Sequence, residues 1–202
     1  MRLFSEEREL VQYAKKFIGE RLDSLEECVA KCLSEPKPYA TFPALLYCFA
    51  TIDLLGALYS GNARKRNAPT SNQSLEYMEK FMGYTTEQSN LLQKQFRHKL
   101  VHLAQPKAVI KYNGQLISWH YWHESAENHL EIKKFPEKQI ISVTPCLNIE
   151  CDYEFNISIV HFAEDIRKSV EQPNGYLASL ERSQGLQVNF ERALSHIYDY
   201  EQ

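Results

Sequence analysis

Glycine and proline are scarce in this 202-residue chain, with 7 and 8 copies, which leaves little material for a turn-rich sandwich or a low-complexity tail. Cysteine occurs five times but never as a CxxC pair, so neither a zinc ribbon nor a full disulfide framework is indicated. The first residues, MRLFSEERELVQYAKKF, are charged and amphipathic and lack the apolar core of a secretory signal. No later segment is read as a membrane span. The expectation is a soluble, cytoplasmic chain with reduced and mostly buried thiols. GxGxxG, Walker-type and GxSxG motifs are all missing, so nucleotide-fold chemistry and serine hydrolysis have no basis in the sequence. No cofactor is expected.

What is present favours helices. At 44% hydrophobic and 12% aromatic residues the chain can fill a core, and its length suits one domain of ordinary size. Residues 5–34 read as a long amphipathic helix, with Leu10, Phe17, Leu22, Leu25, Val29 and Leu33 recurring at three- and four-residue intervals. Pro36 and Pro38 end it. Thr41-Phe42-Pro43 opens a second helix, apolar nearly all round and therefore central. Residues 62–74 read as a loop, with Ser74 capping a short helix that ends near Gly83. Thr86 starts the next, which Pro106 terminates; Leu92, Phe96, Leu100 and Leu103 form its apolar stripe.

The period then changes. Ala108–Tyr112 and Gln115–Tyr121 are strand-like and joined by Asn113-Gly114, a strong hairpin signal. His129–Phe135 and Gln139–Val143 read as further strands, with another over Cys146–Asp152. From about Phe155 the helical period returns. The expected fold is mainly α: a helical core (1–106), a small antiparallel sheet inserted after it (107–152), and C-terminal helices (153–202).

Charge is uneven along this chain of net charge −3. Residues 61–111 carry +6 and residues 150–202 carry −6. The positive block holds FRHKLVH, Phe96 to His102, where arginine and histidine stand five residues apart. Arginine supplies a fixed positive charge for a phosphorane, and histidine a proton acceptor near neutrality. On a helix, Arg97 and His102 differ by about 140° around the axis, so they converge only if the long arginine swings or a second copy contributes. His98 and His102 share a face with Gln95. Asp53 is the lone acid among Phe49, Ile52, Leu54 and Leu55. A buried carboxylate requires a partner, and Arg97 or His98 is the candidate.

The run LLxxxFRHKLVHLAxPK, following an apolar helix that contains an acid, resembles the HEPN superfamily. These are helical domains of toxins, CRISPR effectors and other RNA-processing defence proteins. Arg97, His98 and His102 match its arginine, polar residue and histidine. The resemblance spans roughly residues 1–106 and implies a helical bundle, often a homodimer with its two motifs facing across a cleft. It implies metal-independent cleavage of RNA in a defence or stress role. In that reading His102 activates the ribose 2′-OH, Arg97 stabilises the phosphate, His98 is an auxiliary polar contact and Asp53 orients the arginine. Lys94, Lys99 and Lys107, with the Arg64-Lys65-Arg66 triplet, are candidate contacts to a single-stranded RNA backbone. The chain departs from toxin members at Ala104, where they carry tyrosine, and in its β-rich insertion. The alternative function is a non-catalytic nucleotide-binding, RNA-binding or dimerisation module.

Other groupings are weaker. Trp119, Tyr121 and His123 alternate with His120 and Trp122 along a strand; such aromatics beside basic residues can stack exposed bases, but packing of Trp119 and Tyr121 onto the helices is the simpler explanation. His98 and His102, with His120, His123 or Glu124, have metal-ligand types but no HExxH pattern, and no metal is expected.

Overall fold

The computed structural model describes residues 3–34, 40–63, 70–97, 107–124 and 127–198. The protein is mixed α/β, helices packed with one four-stranded sheet. Helix α1 (Glu7–Cys32) buries Leu10, Phe17, Leu22, Leu25 and Val29, the stripe expected from their spacing. Helix α2 (Thr41–Ser60) ends at Gly61 and buries most of its circumference, leaving Pro43, Leu46 and Ala50 exposed on one face. By length and hydropathy α2 does reach the dimensions of a membrane span, contrary to the sequence expectation; 61% of its most apolar window is buried within the fold.

Helix α3 (Thr70–Tyr77) continues into a π-helical turn, Met78–Met82. Ser74 is therefore not a cap: it lies inside α3, and its hydroxyl donates to Asp53 of α2. A methyl group on Gly56 of α2 would come within 2.8 Å of the Gln73 carbonyl, so the absence of a side chain lets the two helices touch. Helix α4 (Thr86–Leu91) starts with a capping box made by Thr85 and Gln88, and it too widens into a π-helical turn, Leu92–Arg97. Such turns insert extra backbone and rotate the face of the helix that follows.

Strands β1 (Ile110–Tyr112) and β2 (Gln115–Trp122) form the expected hairpin, with Asn113 and Gly114 both at positive φ (47° and 79°). Strand β3 (Ile132–Thr144) and strand β4 (Leu147–Ser158) form a second hairpin. The sheet order is β1-β2-β4-β3, and β2 pairs with β4 in parallel. The expectation of a wholly antiparallel sheet is thus corrected: β4 returns between β2 and β3 and so runs alongside β2. The two strands expected between His129 and Val143 are one, with a register shift between Lys134 and Gln139 that accommodates Pro136 on an edge strand. β4 also runs on to Ser158, past the expected switch to helix. Ser158 then caps helix α5 (Ile159–Glu171), accepting a hydrogen bond from the His161 amide.

Helices α6 (Tyr176–Arg182) and α7 (Gln184–Ile197) are the last elements among the described residues. α2 touches α1, α3, α5 and α7. One hydrophobic cluster joins these helices to Ile117, Phe155 and Ile157 on the inner face of the sheet.

Candidate functional site

The ion pair anticipated from the lone acid of α2 is present. Arg97, at the end of the π-helical turn, places Nε 2.8 Å from both carboxylate oxygens of Asp53 and one Nη 2.7 Å from Oδ2. The Ser74 hydroxyl donates to Asp53 Oδ1 from α3. The two charged side chains are only 16% and 23% exposed, so this is a partly desolvated pair with little room for other rotamers. Three elements thus converge on one carboxylate: α2 supplies it, α3 supplies a neutral donor, and the widened turn after α4 supplies the guanidinium. Leu92, fully buried at the start of that turn, anchors it to the core.

Of the other residues proposed from sequence, Lys94 is exposed one turn before Arg97, and Lys107 is half-buried beside β2. Lys107 joins the aromatic strand through its carbonyl, which accepts the Trp119 indole N–H at 2.7 Å. His98, Lys99, His102 and the Arg64-Lys65-Arg66 triplet lie outside the described residues, as do Leu100, Leu103 and Pro106. Arg97 is therefore placed beside Asp53, while the convergence of Arg97 with His102 remains an expectation from sequence.

A second polar cluster was not anticipated. The Tyr84 hydroxyl, after the first π-helical turn, donates to Asp165 Oδ2 of α5 at 2.9 Å. His129, in the turn before β3, sits beside them, with Nε2 3.5 Å from the Tyr84 oxygen and 3.7 Å from Asp165 Oδ2. Its Nδ1 accepts the Ser158 backbone N–H at 3.0 Å. Burial, with His161 and Lys168 nearby, pushes the imidazole down to about 3. His129 next to Asp165 is consequently a neutral contact at physiological pH rather than an ion pair: Nδ1 is committed as an acceptor, and the ring is 10% exposed. Burial and Asp165 likewise raise the Tyr84 phenol well above its usual range. The cluster ties the loop before β3 to α5. Its members lie 45 and 36 residues apart on three elements, and no local spacing announces them.

The aromatic strand divides as its alternation requires. Trp119 and Tyr121 pack edge-on against Phe42 of α2, at 6.4 and 6.1 Å between ring centres. His120 and Trp122 take the other side and are exposed, with rings 4.5 Å apart. This strand borders a cleft of about 760 Å³ closed on one side by Leu33. Among the described residues no group of three or more His, Cys, Asp or Glu side chains is arranged to hold a metal ion. Compared with known proteins, the chain matches no family model, no curated protein and no solved structure.

Proposed function

We propose that the protein is a metal-independent RNA endonuclease of HEPN type, acting in the cytoplasm as a homodimer. The observation that carries this reading is Arg97 held by Asp53, whose carboxylate also accepts the Ser74 hydroxyl. A guanidinium gripped along its Nε edge by a carboxylate keeps one plane and one position, and preorganised charge is what a phosphorane-like transition state rewards. Asp53 is thereby a positioning residue. The sequence motif supplies the rest of the chemistry, and the resemblance supplies the second copy.

His102 removes the proton from a ribose 2′-OH, and the 2′-oxygen forms its bond to the adjacent phosphorus. Arg97 stabilises the charge that gathers on the non-bridging oxygens. The P–O5′ bond breaks, the leaving 5′-oxygen takes a proton from the imidazolium, and a 2′,3′-cyclic phosphate remains. His98 contributes a polar contact. Lys94, Lys99, Lys107 and the residue 64–66 triplet steer the RNA backbone.

The test is cleavage of labelled single-stranded RNA in EDTA by wild type, His102→Ala and Arg97→Ala. Each substitution is expected to lower kcat by about 10²–10³ or more, with cyclic-phosphate ends in the wild-type products. Equal background in all three supports instead a non-catalytic binding or dimerisation module, in which the Asp53–Arg97 pair only ties α2 to the turn after α4.

A further inference from the structure

We infer that the cleft beside β2 is a base-stacking subsite for single-stranded RNA, with Trp122 as its platform and His120 as the adjoining ring. This deepens the ribonuclease reading by naming how substrate is held. An isolated exposed aromatic is ordinary on a protein surface, so the exposure of Trp122 (36%) carries nothing by itself. Its restraint is the first argument. The indole N–H donates to Asn156 Oδ1 at 3.4 Å, and His120 stands 4.5 Å away, so an exposed ring is held in place on a rigid strand. Trp119 and Tyr121, packed on Phe42, fix the opposite face of the same strand.

A buried donor lies beside the same ring. Asn156 is 1% exposed, and its Nδ2 has no hydrogen-bond partner among the described residues. Buried donors are nearly always paired. The oxygen of the same amide accepts the Trp122 indole N–H, so this donor lies next to the platform ring. A nucleobase offers a π-face for Trp122, and uracil, cytosine and guanine add a carbonyl edge that a donor such as the neighbouring Asn156 amide can meet. The cleft, about 760 Å³, is of the size that takes a small organic ligand. It intersperses rings with His123 and Glu124 and is not a continuous apolar groove.

Location supplies the third argument. Trp119 binds the carbonyl of Lys107, which follows His102 by five residues. Five residues span at most about 18 Å even when fully extended. The carbonyl held by Trp119, which borders the same cleft, is therefore within about 18 Å of His102 along the chain.

The chain has two tryptophans, and both border the cleft, so intrinsic fluorescence reports occupancy directly. The probe is an eight-residue 2′-O-methyl oligouridylate, which cannot be cleaved through its 2′-oxygen, titrated in EDTA into the full chain. Inorganic phosphate serves as the control for backbone-only binding. Saturable quenching by the oligonucleotide but not by phosphate is expected. Binding followed by anisotropy of a labelled copy is expected to weaken about 5- to 150-fold in Trp122→Ala, and much less in Trp122→Phe, which keeps a ring. His120→Ala tests the same site without touching the indole. Absence of saturable quenching, or equal affinity in all variants, overturns the subsite. RNA cleavage by wild type without quenching removes the subsite and leaves the nuclease. Quenching without cleavage does the reverse.

Discussion

At Asp53 a carboxylate sits on the most apolar helix of the fold, met by Arg97 and Ser74. Removing one member of such a pair strands the other in a partly dry site. Asp53→Ala is expected to lower stability by about 2–3 kcal/mol, below the range for a fully buried pair because both side chains keep some exposure. A double-mutant cycle with Arg97→Ala, measured by urea denaturation, is expected to give a coupling of about 1–3 kcal/mol, whereas additive losses would dismiss the pair as incidental. His129 carries a separate pH dependence. Its folded-state value of about 3 lies below the ordinary 6.5, so its contribution is complete above pH 6.5 and is lost as pH falls from there towards 3. Across that window the stability difference between wild type and His129→Asn is expected to shrink by roughly 1.4 kcal/mol per pH unit at most. Tyr84, Asp165, His161 and Lys168 face the ring and are common to both proteins, so the difference isolates His129. A constant difference from pH 7 to pH 4 would show that the imidazole is not held neutral.

Elements differed in how much of themselves they announced. The stripe of α1, the apolar girth of α2 and the Asn113-Gly114 turn were legible because each depends on local spacing or on one turn's backbone requirement. The Asp53–Arg97 pair was legible for a different reason: a lone acid among apolar neighbours needs a partner, and the planar fork of Arg97 fits a carboxylate, with His98 as the alternative. Ser74 misled because a serine near a helix start reads as a cap, while here the acid of a neighbouring helix claims its hydroxyl. The two π-helical turns have no sequence signature comparable to a cap, and Pro136 split β3 on paper because an edge position forgives it. Gly56 tests the crossing of α2 and α3. Gly56→Ala must push its methyl against Gln73 backbone, and a loss of about 1–3 kcal/mol is expected in thermal or urea unfolding. A neutral or stabilising alanine, as helix propensity alone would give, contradicts so close a contact.

On the scale of the whole molecule, strand order and the Tyr84–His129–Asp165 cluster depended on tertiary return paths that no window of sequence contains. Charge did show in the sequence, +6 over residues 61–111 against −6 over residues 150–202, and under the proposed function the positive block is where RNA is expected to bind. Affinity for a single strand is therefore expected to fall with salt. The log–log slope is about −3 if roughly four phosphates are contacted, and binding indifferent to salt would exclude the backbone contacts assigned to the lysines. The most direct measurement of the central claim is single-turnover cleavage of single-stranded RNA in EDTA by wild type and Arg97→Lys. Lysine keeps the charge but not the planar fork that Asp53 grips. The expected result is a folded variant whose cleavage rate falls by about 10²-fold or more, while wild type leaves cyclic-phosphate ends. Equal rates for the two proteins, or no cleavage by wild type, would contradict a transition state stabilised by an arginine held in place by Asp53.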